Sequence, residues 1–204
     1  ISEVNESVPD TLRQLIERQI ERLSDEDQRA LEVASVVGME FTAAEAAAGL
    51  QGAIEAFESQ CECLVQMGQF LRTEGVAEWP DGTLSGRYSF LHAVYHEVIS
   101  TRVGEARRVQ LHRRIAERKE AAYSERASEI AAELAVHFEQ GREYAKAVQY
   151  RRQAGEAAMR ASAPREALSH LKRGLELLTL LPDNPERIQH EVRLQPALAN
   201  PLYP

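Results

Sequence analysis

Along most of the chain, apolar residues recur at intervals of three and four, the spacing that places them on one face of an α-helix. The first such stripe follows Pro9, a residue suited to a first helical turn, and consists of Leu12, Leu15, Ile16, Ile20 and Leu23. Comparable stripes follow through most of the remaining sequence. The pattern therefore predicts a mainly α-helical protein.

Two capping patterns, each a hydroxyl residue followed three positions later by an acid, mark the next helix starts. Ser24 with Asp27 opens a helix that is expected to end at Gly38. Thr42 with Glu45 opens a short Ala-rich helix. Both starts are predicted from residues close together in sequence, since a capping box needs only one helical turn.

A third helix is predicted from Ala53 to Gly68, and after it the apolar period shortens to that of a β-strand. Two short strands are expected at residues 70–73 and 88–91, joined by a segment rich in turn residues. Three helices followed by a two-stranded hairpin are the element order of a winged-helix domain, in which the hairpin is the wing. The expected buried residues of the third helix are Ile54, Phe57, Cys61, Leu64 and Val65.

A further helical stretch runs from His92 to about Tyr123, with a break near Gly104. We assign it to the same winged-helix domain, which then covers residues 24–122, whereas residues 1–23 form a separate helix. Its expected core residues are Val98, Ile99, Val103, Leu111 and Ile115.

The last part of the chain, residues 123–204, is repetitive. The segment GREYAKAVQYRRQA and a later copy, SAPREALSHLKRGLEL, have the small and aromatic residues of tetratricopeptide helices. Aligning Ala147 with Ala167 gives an offset of 20 residues, shorter than the roughly 34 of a regular tetratricopeptide. One long helix, residues 144–161, is therefore expected to serve two helical hairpins, and another helix to begin near Glu186. The expected helix-packing residues are Ala147, Ala154, Ala167, Leu171 and Gly174.

Composition narrows the class of protein. The 204 residues are 44% hydrophobic and 27% charged, as in ordinary globular proteins, and no apolar run approaches the roughly 18 residues of a spanning helix. The net charge of −8 argues against nucleic-acid binding by the whole surface. Two cysteines fit a reducing compartment, so we expect a cytoplasmic location. A start at Ile1 without Met leads us to expect a piece of a longer protein.

Four segments carry a family resemblance: VPDTLRQLIERQIERLSDEDQRALEVASVVGMEF, RYSFLHAVYHEVIS, LHRRIAERKE and AELAVHFEQGREYAKAVQYRRQA. They resemble bacterial signal-transduction ATPases of the STAND type, in which a P-loop ATPase is followed by a winged helix and a helical-repeat sensor. The resemblance covers nearly the whole chain. It implies that residues 1–23 are a linker from an upstream ATPase domain, and that a transcriptional-regulator or nucleotide-cyclase domain lies further upstream.

The nucleotide-binding motif of such ATPases is missing from this sequence. A P-loop has the form G-x-x-x-x-G-K-[ST], yet none of the lysines, Lys119, Lys146 and Lys172, follows a glycine. We therefore expect a non-catalytic fragment without a cofactor of its own, with ATP or ADP and Mg²⁺ bound only by the parent protein. Its expected role is to couple nucleotide state to signal sensing.

The resemblance also singles out His92. In related apoptotic and plant-resistance ATPases a Met-His-Asp motif ends the winged helix, and its histidine contacts the β-phosphate of ADP. Leu91-His92-Ala93 occupies the matching place here, although Ala93 lacks the carboxylate. The alternative is that His92 caps its helix or packs against the wing. His96 lies one helical turn further on, but no third ligand is evident, and we expect no metal site.

The strongest charge feature is a basic stretch, residues 102–119, with seven basic and two acidic side chains. It offers a face for phosphate or for another domain, formed by Arg107, Arg108, Arg113 and Arg114. Against DNA binding, the helix in the position of a recognition helix carries Glu55, Glu58 and Glu62 and no basic residue. We favour a solvated or interdomain face, and a DNA-binding winged-helix regulator is the alternative.

The repeats are expected to bind an unidentified protein or small-molecule signal on their concave face. The residues predicted to contribute are Tyr144, Tyr150 and His170.

Overall fold

A computed structural model describes residues 10–202, and the side chains of 11–185 and 187–196. The chain divides into two compact units, the first ending at Arg108 and the second beginning at Val109. The prediction of a mainly helical protein with a small β-structure is confirmed. Among the described residues, no helix is both apolar enough and long enough to cross a membrane.

The first unit contains five helices and all three strands of the described sheet. In chain order these are α1 (Asp10–Ile20), α2 (Asp25–Val37), β1 (Glu40–Thr42), α3 (Ala43–Leu50), α4 (Ile54–Gln66), β2 (Leu71–Glu78), β3 (Leu84–Phe90) and α5 (Ala93–Arg102).

Local capping explains where the helices begin. The Ser24 hydroxyl accepts the Asp27 amide at 3.1 Å before α2. At α3 the box is complete, because Thr42 caps the Glu45 amide and the Glu45 carboxylate accepts the Thr42 amide at 2.7 Å. Pro9, expected in the first turn of α1, lies outside the described residues. The predicted helix starts at Ser24 and Thr42 are confirmed.

The sheet is larger than the sequence pattern indicates. Its strands are antiparallel in the order β1-β3-β2, and β1 was not predicted. Both predicted strands are also too short, since the hairpin turn is confined to Trp79–Thr83, where the Trp79 amide donates to the Thr83 carbonyl. Residues 72–76 of β2 are all exposed and the strand is irregular between Thr73 and Gly75, so the alternation that reveals a strand is absent.

The core of the first unit lies between the helices and one face of the sheet. Phe41 of β1 stacks on Tyr88 of β3 with ring centroids 5.9 Å apart. Helix α1 packs against α5 and buries Ile16 and Ile20, whereas Leu15 is 54% exposed. The other large buried side chains include Leu31, Phe57, Leu64, Phe70, Phe90, Val98 and Ile99.

The second unit is a series of packed helices. Helix α6 (Glu105–Tyr123) runs in sequence from the first unit into the second, and a 3₁₀ segment follows it. The remaining helices are α7 (Ala131–Gln140), α8 (Tyr144–Arg160), α9 (Pro164–Leu178) and α10 (Pro185–Leu202). As predicted, α8 packs against both α7 and α9. The five predicted helix-packing residues are all buried.

Candidate functional site

His92 lies in the short connection between strand β3 and helix α5. Strand β3 ends at Phe90, and the Leu91 amide donates to the Phe70 carbonyl at 2.9 Å, which fixes this corner. His92 is the N-cap residue of α5, but its side chain makes no capping hydrogen bond. The imidazole is exposed and lies 5.7 Å from the Tyr95 ring between centroids. The backbone of His92 thus starts the helix, while its ring does not cap it.

His96, one turn later, has a structural environment. Its Nε2 lies 3.0 Å from the Ser35 carbonyl oxygen, and its ring forms a T-shaped contact with Phe90. The carbonyl can only accept, so Nε2 carries the hydrogen. Burial lowers the pKa of His96. The His96 ring is therefore held by contacts with α2 and β3. In the part of the chain that the structure describes, no group of three or more potential metal-ligand side chains occurs.

The predicted basic face is largely engaged in internal contacts. Arg107 pairs with Glu32 at 2.9 Å, and Arg113 pairs with Glu143 at 2.9 Å. Arg108 donates to the carbonyls at the end of α5. The fourth member of the predicted set, Arg114, is half-buried. These contacts neutralise or occupy guanidinium groups that a phosphate backbone would need.

Helix α4, which the sequence predicts to be the counterpart of a recognition helix, carries three carboxylates. Glu55 and Glu62 are exposed. The Glu58 carboxylate accepts the Gly86 amide at 2.6 Å and so ties α4 to β3. The acidic surface of α4 opposes contact with DNA.

An open cleft of about 410 Å³ lies between α2, α3 and α4 and was not predicted from the sequence. Its walls combine small and apolar side chains with carboxylates from the first turn of α2. The lining includes Glu26, Asp27, Ala47, Ala56, Phe57 and Cys63. The frequency of small residues at positions 47, 52, 53, 56 and 59 is the sequence feature that could have indicated it.

In the second unit, the predicted partner-contacting residues differ in exposure. Tyr150 is only 4% exposed, stacks on Phe138 and donates to Glu120 at 2.8 Å, so it is a packing residue. Tyr144 is half-buried against the core of this unit. His170 is half-buried, with Nδ1 3.2 Å from a guanidinium nitrogen of Arg151. The prediction that Tyr150 contacts a partner did not foresee this burial, because the sequence alone does not show which helix packs over a given side chain.

A largely buried carboxylate, that of Glu139, joins three helices beside His170. Glu139 at the end of α7 accepts from Arg151 of α8 at 2.8 Å and from Arg173 of α9 at 2.6 Å. Burial opposes ionisation of Glu139, but the hydrogen bonds from Arg173 and Arg151 outweigh it and hold the pKa of the carboxyl below its usual value. The cluster is a network for packing helices together, which the sequence did not reveal.

Comparison of the chain with protein-family models, with curated proteins and with solved structures finds no match in any of the three. The function therefore has to follow from the residues and their geometry.

Proposed function

We propose that this chain is a non-catalytic regulatory and signal-sensing module of a multidomain ATPase of the STAND type. In this proposal the first unit is a winged helix that responds to nucleotide, and the second is a tetratricopeptide-like sensor. The observation that carries the proposal is the exposed imidazole of His92 at the N-terminus of α5.

The order of elements supports a winged helix. Helices α2, α3 and α4 are followed by the β2–β3 hairpin, and β1 between α2 and α3 adds a third strand beside β3. The hairpin would be the wing.

Helical repetition supports a sensor in the second unit. Each helix from α7 to α10 packs on the next, and α8 also contacts α10. At the α8–α9 contact, a Cβ on Gly155 would lie 2.7 Å from Leu171, so the two helices approach closely there. Stacked helices of this kind create extended surfaces that bind proteins or small molecules.

The chemistry of His92 suits a nucleotide phosphate. Backbone amides at a helix N-terminus attract anions, and an imidazole N–H is a hydrogen-bond donor for phosphate oxygens. Because the chain has no P-loop, the nucleotide and its Mg²⁺ would be held by an ATPase domain upstream in the parent protein. His92 would contact the bound ADP and favour the closed, inactive state.

The test is ADP retention by the parent protein, measured as nucleotide released on denaturation of the purified protein. His92→Ala should lose bound ADP and raise basal ATP turnover, whereas His92→Gln, which keeps an N–H donor, should retain part of it. His170→Ala, in the second unit, is the matched control and should retain ADP. Unchanged ADP in a folded His92→Ala protein would contradict the proposal.

A further inference from the structure

Two histidines from different helices meet inside the second unit. The Nδ1 atoms of His112 on α6 and His137 on α7 are 2.9 Å apart, with ring centroids separated by 5.0 Å. Both residues are buried. The backbones are also close here, because a Cβ on Gly141 would lie 3.0 Å from the Arg113 amide nitrogen. The contact therefore lies where α6 and the end of α7 pack closely together.

A nitrogen–nitrogen contact of this length needs one hydrogen between the two atoms. One imidazole must donate from Nδ1 and the other must accept with its Nδ1 lone pair. The accepting ring is then neutral, with its hydrogen on Nε2. If both rings carried a proton on Nδ1, two N–H groups would point at each other and the contact would be lost.

Lys119 is a neighbouring charge that opposes a second proton on His137. On α6, Lys119 is buried and its ammonium pairs with Glu133 of α7. Arg113, next to His112, pairs with Glu143 after α7. From α8, Lys146 pairs with Glu120 of α6 at 2.5 Å. Each of these three carboxylates is thus already paired with a cation.

The pKa of His137 agrees with this geometry. Burial lowers it first, and the neighbouring His112 and Lys119 lower it further, to about 3. The unfolded chain would accept a proton on this ring near pH 6.5.

We propose that a single hydrogen shared between His112 and His137 holds α6 against α7, and that acid destabilises this contact. In the folded unit the single hydrogen holds the two helices together, and the stability that it contributes is complete above pH 6.5. Below pH 6.5 this stability is lost progressively, because the unfolded chain takes up a proton on His137 that the closed contact excludes. The contact therefore makes the packing of α6 against α7 in the second unit sensitive to acid.

The hydrogen itself can be observed in the unmodified 204-residue chain. At pH 7.5, ¹⁵N NMR should show His112 and His137 with opposite tautomers, one Nδ1–H and one Nε2–H, and a scalar coupling across the N–H···N bond. Two Nε2–H tautomers without coupling would overturn the proposal. So would loss of the signals on adding EDTA, because a metal ion would then be holding the two nitrogens.

Substitution tests the release by acid. Asn places an amide near the position of Nδ1 and does not titrate, so His137→Asn should keep a hydrogen bond without the proton uptake. Between pH 6.5 and 5, the unfolding equilibrium constant of the wild type should rise by up to roughly tenfold per pH unit more than that of His137→Asn. The double variant with His112→Asn should behave like His137→Asn. Equal slopes for the wild type and a folded His137→Asn would overturn the proposal, and if that variant does not fold, the NMR result decides.

Discussion

Glu139 and Arg151 form an ion pair of 2.8 Å between α7 and α8, with only 11% and 14% of their side chains exposed. Arg173 of α9 completes the cluster from the outside. Removing one member of a buried pair leaves the other charge uncompensated. The Glu139 carboxylate therefore links three consecutive helices, α7, α8 and α9.

Replacing Glu139 by Gln should destabilise the second unit by about 1–3 kcal/mol, because the largely buried Arg151 then loses its counter-charge. Urea denaturation followed by circular dichroism measures this loss. Glu176→Gln is the matched control: Glu176 also pairs with Arg173 but is 62% exposed, so its loss should cost less than about 1 kcal/mol. Equal losses of stability in the two variants would contradict the prediction that the Glu139 ion pairs stabilise the second unit more than the exposed Glu176 pair does.

A methyl group at Gly155 should disturb the contact between α8 and α9. The added Cβ would lie 2.7 Å from the Leu171 side chain and 3.3 Å from the Ala167 carbonyl oxygen, which is backbone. We expect Gly155→Ala to lower the free energy of unfolding by about 1–3 kcal/mol. Thermal denaturation provides the measurement. Gly52→Ala, in the loop between α3 and α4 where nothing lies within 4 Å of the new Cβ, should be close to neutral, and a neutral Gly155→Ala would argue against the close packing.

His96 should make the first unit sensitive to pH. Burial is the largest effect on its pKa and lowers it below the usual 6.5, so the unfolded chain binds the proton first as the pH falls. The stability that this group contributes is complete above pH 6.5 and is lost progressively below it.

The measurement is the urea midpoint of the wild type and of His96→Gln between pH 7.5 and 5. Gln can still donate to the Ser35 carbonyl, so the variant should fold and lose less stability on acidification. A variant that follows the wild-type curve throughout would rule out this contribution of His96.

Binding of DNA by this chain should be absent. Glu55 and Glu62 are exposed on α4, and Arg107 and Arg113 are already paired with carboxylates. Fluorescence anisotropy with labelled duplex DNA should show no binding even at low salt. Affinity that falls steeply with salt concentration would instead favour the DNA-binding regulator.

Local features of this protein could be predicted from its sequence. The helix starts at Ser24 and Thr42 were predicted correctly, since a cap joins residues three positions apart. The break between α5 and α6 follows from Gly104, and the shared helix α8 follows from the spacing of two similar segments. Most of the core residues that the apolar period predicted are buried, because burial of a helix face leaves a regular trace in the sequence, whereas Ile54 and Val65 of the third predicted helix are only half-buried.

Only the tertiary structure decided the features that join distant residues. Strand β1 has three residues, too few for a period, and exists because Phe41 pairs with Tyr88. Exposure separates Tyr144 from Tyr150 although both lie on one helix. The contact of His112 with His137 spans 25 residues. Each depends on which helix or strand lies opposite, and that is determined by packing of the whole unit rather than by any short segment of the chain.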